Sequence, residues 1–151
     1  MSEELFPDDV RTFLTEGHRT GMLAWVARDG RPLAVPVWFV MDGDDLVFNT
    51  GDHSAKAHAM QRDPRVCLTV DLPEPPYKFV QVQGTVTISD DLAEMLPFST
   101  AIGGRYMGAD RAEEFGRRNA VPGELLVRLR PSKVNFSMDM TGGTPGEGAA
   151  A

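Results

Sequence analysis

A single cysteine, three histidines and a deficit of basic residues set the first limits on this 151-residue chain. With only Cys67 available, no intrachain disulfide and no cysteine-rich zinc site can form. Inside VCLTV it reads as a small packed side chain rather than a nucleophile. His18, His53 and His58 offer no paired spacing on one helix face, since the last two stand five residues apart, so no metal is expected. The formal net charge of −7 argues against non-specific binding to nucleic acid or an anionic membrane. An anionic ligand would need a local basic pocket working against that overall field. No apolar run approaches ~20 residues, and the acidic start MSEELFPDD has no hydrophobic signal core. A cytoplasmic protein with no membrane partner is expected. No G-x-S-x-G motif, P-loop, Rossmann glycine fingerprint or internal repeat occurs.

What is present is ordinary for a soluble fold: 42% hydrophobic and 25% charged residues, in a length that suits one domain. Residues 1–140 read as that domain and 141–151, small and polar, as a flexible tail. Pro7, Asp8 and Asp9 open a helix carrying Val10, Phe13 and Leu14 on one stripe, with Gly17 as its stop. GMLAWVAR, PLAVPVWFV and LVFNT predict three consecutive antiparallel strands, separated by Asp29-Gly30 and by MDGDD. SAKAHAMQR predicts a short helix capped by Asp52 or Ser54 and ended by Asp63-Pro64. VCLTVDL and KFVQVQGTVTI are two further strands, and LLVRLRP and KVNFSMD two last ones. Between them residues 91–119 are mostly helical, broken into pieces at Pro97 and Gly103-Gly104. Short antiparallel strands with two or three helices predict a mainly β fold, a small barrel.

In PLAVPVWFV, Leu33, Val35, Val37 and Phe39 share one face, yet Ala34, Trp38 and Val40 on the other are apolar too. An antiparallel strand in a lone barrel turns a polar face to water, so this face needs a cover. A second copy of the chain, with a ligand between the two, is the favoured cover.

The junction between LVFNT and SAKAHAMQR is the leading ligand site. Thr50 and Ser54 carry hydroxyls, the helix start has unpaired N–H groups, Lys56 supplies positive charge and Gly51 admits close backbone approach. That set suits a phosphate group; a strand end, a helix cap and a solvated lysine account for the same residues. Pro36 interrupts a strand and marks an edge or bulge against which a flat ligand could meet the N–H groups of Val37 and Trp38. Tyr77, Phe79, Gln81 and Gln83 share a face of the next strand, as ring-binding or solvent-facing residues would. Arg105, Tyr106, Arg111, Arg117 and Arg118 could flank an anionic tail, solvated helix faces being the simpler account.

GRPLAVPVWFVMDGDDLVFNT, SAKAHAMQRDPRVCLTV and FVQVQGTVTI, in this order and spacing, resemble the split β-barrel flavin and deazaflavin oxidoreductases. These are the pyridoxamine 5′-phosphate oxidase-like proteins, and the likeness is greatest to their F420-dependent branch. The resemblance implies a homodimer with two cofactor sites in grooves between subunits. It implies that Lys56 binds the cofactor phosphate with Thr50, Gly51, Ser54 and Ala55 around it. Val35, Pro36, Val37 and Trp38 would line the ring, and Tyr77 and Phe79 would come from the neighbouring chain. Where many relatives carry further basic and amide groups around the lysine, this chain has Ser54 and Ala59, so phosphate binding leans on Lys56 and backbone donors. The expected activity is hydride transfer from reduced coenzyme F420 to an unsaturated or quinone-like small molecule. The alternatives are an FMN-binding flavoprotein and a non-catalytic flavin or haem carrier on the same barrel.

Overall fold

Helix α1 (Asp8–Thr15) begins directly after Pro7, with Asp8 and Asp9 at its positive end, and buries Val10, Phe13 and Leu14. These residues belong to the computed structural model, which describes residues 5–142. Strands β1 (Gly21–Val26) and β2 (Pro32–Val37) form the expected hairpin. The second expected pairing, with LVFNT, is present as well, but the middle strand is not continuous. It breaks at Trp38-Phe39, and β3 (Val40–Asp42) pairs instead with β4 (Asp45–Gly51).

The sheet order β2-β1-β5-β6-β7-β4-β3 puts β2 and β3 at opposite ends of seven antiparallel strands. Residues 38 and 39 therefore draw the two ends of the sheet together through the chain, with no ladder between them. This is a split barrel. The broken backbone is satisfied from outside the sheet: Phe39 N–H donates to the Tyr106 hydroxyl (3.2 Å), and Arg105 Nη1 donates to the Phe39 carbonyl (2.8 Å). Side-chain partners for one residue's N–H and C=O allow the ladder to stop there.

Helix α2 (Ala55–Arg62) is capped by Ser54 and ends at Asp63, and β5 (Arg65–Leu72) and β6 (Lys78–Ser89) follow as expected. Two expectations are corrected. The segment expected to break at Pro97 and Gly103-Gly104 is one helix, α3 (Leu92–Met107), which stops only at Gly108, where φ is 105°. The glycines serve packing against α4 (Ala112–Asn119): a Cβ on Gly103 would lie 2.6 Å from the Phe115 Cβ. The two final strands are also one, β7 (Glu124–Ser137). Pro131 does not end it because the β6–β7 register shifts between Gln83 and Gly84, absorbing the missing donor at an irregularity. There a Cβ on Gly84 would sit 2.0 Å from the Arg130 carbonyl oxygen.

The barrel interior is filled by the inward halves of the strands, with Leu23, Phe48, Leu68, Val80, Val82 and Leu129 fully buried. α3 covers a second cluster of Val47, Met95 and Leu126. The opposite faces of β1, β2, β5 and β6 stay open. Met22 is 46% and Val26 40% exposed there, beside Ala24, Ala34 and Pro36. Cys67 sits half-buried on this outer face rather than in the core, and burial raises its thiol pKa. The tail expected over 141–151 lies, from residue 143 on, outside the described residues. No helix among the described residues is long and apolar enough to cross a membrane.

Candidate functional site

β4 delivers Asn49, Thr50 and Gly51 to the start of α2, and the loop between them is held by its own hydroxyls. Ser54 Oγ donates to the Gly51 carbonyl (2.8 Å) and accepts the Ala57 N–H (3.1 Å). Thr50 Oγ1 lies 3.0 Å from Ser54 Oγ. Since the Ser54 proton is directed at Gly51, Thr50 is the donor of that pair, and both hydroxyl protons are engaged within the loop. Thr50 and Ser54 thus build the site rather than face it. What they leave for an anion are the first-turn N–H groups of α2, including those of Ala55 and Lys56, which have no intrahelical partner.

Lys56 makes no ion pair within 4 Å among the described residues. It lines a cavity of about 300 Å³ together with Pro36, Val37 and Trp38, so Lys56 of the expected phosphate residues and three of the expected ring residues lie in one place, while Thr50, Gly51, Ser54 and Ala55 are not among the lining. Val35 is half-buried on the inward face of β2 and does not line it. Trp38 is stacked on Tyr106, with centroids 5.1 Å apart and planes 2° from parallel, and has Phe115 tilted against it at 6.4 Å. One face of the indole is therefore fixed by α3, and 38% of the residue remains exposed.

Three further polar residues of this cavity, Asn49, Asn119 and Glu124, and the apolar Ile102 were not expected from the sequence. Asn49 Oδ1 accepts the hydroxyl of Ser99 on α3 (2.9 Å), which leaves its Nδ2 buried and without a partner. Glu124 Oε2 is likewise buried and unpartnered. Burial raises the Glu124 pKa, the nearby Asp52 carboxylate raises it further, and Lys56 opposes both. The one available signal was Asn49 itself, a polar residue closing the buried run Leu46–Phe48. Glu124 had none, because only the β4–β7 register sets it opposite Gly51.

Tyr77 and Phe79 do not reach this cavity within the same chain. Phe79 is the second residue of β6 and Tyr77 stands just before the strand, 44% exposed with φ at 52°. On the outer face of β6 Gln81 Oε1 accepts both Gln83 Nε2 and Asn135 Nδ2 at 3.0 Å, so the expected amide surface is present and largely bonded to itself. A larger cavity, about 710 Å³, lies there between Ala24, Val26, Pro32, Cys67 and the two glutamines. Arg105 flanks no anion site and is no solvated residue. It donates to the carbonyls of Leu14 (2.7 Å), Gly17 (3.0 Å) and Phe39 (2.8 Å).

With the split barrel and this cavity described, the sequence profile of the pyridoxamine 5′-phosphate oxidase family matches residues 6–138. The chain belongs to that family. No curated protein matches it. Among solved structures, a conserved hypothetical protein from Mycobacterium tuberculosis shares 21% identity at a TM-score of 0.78, over 100% of this chain and 95% of that one. An F420 reductase shares 26% identity at a TM-score of 0.64, over 90% and 98% of the two chains. The haem storage protein HutZ of Vibrio cholerae shares 16% at 0.67, over 90% and 96%. The family is one of flavin and deazaflavin binders, most of them oxidoreductases. The residues present fit part of such a cofactor: an unpaired ammonium, free helix-start donors and an orphaned amide N–H surround one cavity. About 300 Å³ is at the low end of small-molecule sites.

Proposed function

We propose that this protein is an F420-dependent reductase, passing a hydride from the reduced deazaflavin to an unsaturated or quinone-like small molecule. The observation that carries the reading is Lys56, unpaired and in one cavity with Pro36, Val37 and Trp38. The similarity to an F420 reductase supports the choice of cofactor. In this reading the ammonium of Lys56 and the N–H groups of Ala55 and Lys56 hold the cofactor phosphate. Pro36 and Val37 form the floor of the ring site, and Trp38, braced by Tyr106, forms its side wall. The bound cofactor supplies the hydride chemistry; the chain orients it and excludes water.

The proposal includes a homodimer. Pro36 both lines the cavity and stands on the outer apolar face beside its partner Met22, so the cavity opens at the margin of that face. A second copy laid on the face would cover Met22 and Val26 and present its own Tyr77 and Phe79 to the groove. FMN is the alternative cofactor, favoured by the family match itself. A non-catalytic carrier is favoured by the likeness to a haem storage protein.

Anaerobic mixing with reduced F420 and a menadione-type acceptor separates these. Acceptor-dependent oxidation of F420 is the expected result. Tight binding without turnover identifies a carrier, and a yellow FMN-loaded protein as purified identifies the flavin form.

A further inference from the structure

Lys56 is the cavity's positive group, but its neighbours are acids. Glu124, at the start of β7, lines the same cavity, with Oε2 buried and free of any hydrogen bond among the described residues. Asp52, on the loop between β4 and α2, acts on Glu124 through its charge, as does Lys56 on α2. From α4 the lining residue is the neutral Asn119, and from β4 the neutral Asn49. The basic residues of α4 are turned to other partners: Arg117 pairs with Glu113 (3.7 Å) and Arg118 lies over the Phe115 ring. His53, fully exposed, lies 3.4 Å from Asp52 and pairs with it only when protonated.

With both carboxyls ionised, this end of the cavity carries one positive and two negative charges, a poor receptor for a phosphate. Each carboxyl has one buried oxygen without a hydrogen bond, Oδ1 of Asp52 and Oε2 of Glu124, but the Asp52 side chain is 40% exposed with the His53 ring 3.4 Å away, whereas Glu124 lines the cavity itself. A buried carboxylate without a partner is costly, and a second anion placed beside it makes it costlier. A proton on Glu124 removes that repulsion. It also turns the carboxyl into a hydrogen-bond donor.

We propose that Glu124 is the charge switch of this site: binding of a phosphate-bearing cofactor at Lys56 is coupled to uptake of one proton by Glu124 from solvent. The proposal rests on the cofactor reading above and deepens it. Affinity for the anionic cofactor then falls as pH rises through the titration of Glu124, and Glu124 favours ligands able to accept its hydrogen bond. The direction in which burial moves the Glu124 carboxyl agrees with this.

The test is isothermal titration calorimetry of F420, and separately of FMN, in pairs of buffers with different ionisation enthalpies, with wild type and Glu124→Gln. Ionisable groups on the ligand and on His53 contribute equally to both proteins, so the difference in proton uptake isolates Glu124. Wild type is expected to take up a measurable fraction of a proton near pH 7 that Glu124→Gln does not. The variant is also expected to bind about tenfold more tightly at pH 8, the size of change one nearby charge produces in a partly solvated site, with the gap closing toward pH 5. Equal uptake in the two proteins, or weaker binding by the variant at every pH, overturns the proposal while leaving the cofactor reading in place. Failure of both F420 and FMN to bind wild type overturns the cofactor reading and this proposal with it. Circular dichroism of the variant, a near-isosteric change, controls for folding.

Discussion

Lys56 makes no ion pair within 4 Å among the described residues, although the Glu124 carboxyl lines the same cavity. The hydroxyls that looked like phosphate ligands, Thr50 and Ser54, direct their protons into the loop and cap the start of α2, the helix that carries Lys56. Lys56→Ala is expected to weaken F420 or FMN binding by more than about tenfold while leaving the fold intact, since charge-assisted contacts to a phosphate exceed neutral ones. Quenching of Trp38 fluorescence gives the titration, and an unchanged dissociation constant would remove Lys56 from the site. Glu124 yields a second prediction, on stability. Its carboxyl pKa is raised on folding by burial, so its contribution is fullest below the ordinary glutamate value, about 4.3, and is lost as pH rises through the folded value. Glu124→Gln should therefore melt higher than wild type at pH 7, with the difference vanishing below about pH 4. Thermal unfolding across that range, without ligand, decides it.

Among the elements, α3 does more than cover the sheet. Its last turn satisfies the break between β2 and β3, through Arg105 and Tyr106, and ties it to α1 through the carbonyl of Leu14 and to the loop after α1 through that of Gly17. Tyr106 also braces Trp38, so the split in the barrel and the wall of the cavity depend on the same helix end. Arg105→Met would leave three carbonyls without their donor and should cost about 2–4 kcal/mol, measured by urea unfolding. A loss below about 0.5 kcal/mol, the range of an ordinary surface change, would mean water replaces it fully. The β6–β7 irregularity permits a sharper contrast. A Cβ on Gly84 meets backbone at 2.0 Å, whereas one on Gly51 meets only Glu124 Oε2 at 3.7 Å. Gly84→Ala is expected to prevent stable folding, and Gly51→Ala to fold normally. Comparable melting temperatures for the two would contradict this account of the strand pairing.

For the whole molecule, the open question is the outer face of β1, β2, β5 and β6. An exposed Met22 and Val26, with Ala24, Ala34 and Pro36 around them, make a poor surface to leave in water. If two copies meet there, Met22→Glu should convert a dimer to a monomer and weaken cofactor binding in the same step. Light scattering at micromolar concentration reads the first effect. A wild-type protein already monomeric there removes the shared groove.

The sequence by itself determined the local pieces. Alternating apolar residues specified β1, β5 and β6, Ser54 and Asp63 bounded α2, and the order of segments carried the family. Each of these depends on neighbours along the chain, within reach of propensity, capping and period. Where a distant partner decided the outcome, the sequence misled. PLAVPVWFV reads as one strand until Arg105 and Tyr106, more than sixty residues on, satisfy Phe39. Pro97 and Pro131 read as breaks until α4 and β6 pack against their elements. Glu124 is an unremarked strand start until β7 pairs with β4 and sets it beside Lys56. Backbone groups, cavities and local fields belong to residues brought together across the fold, so only tertiary structure could place them.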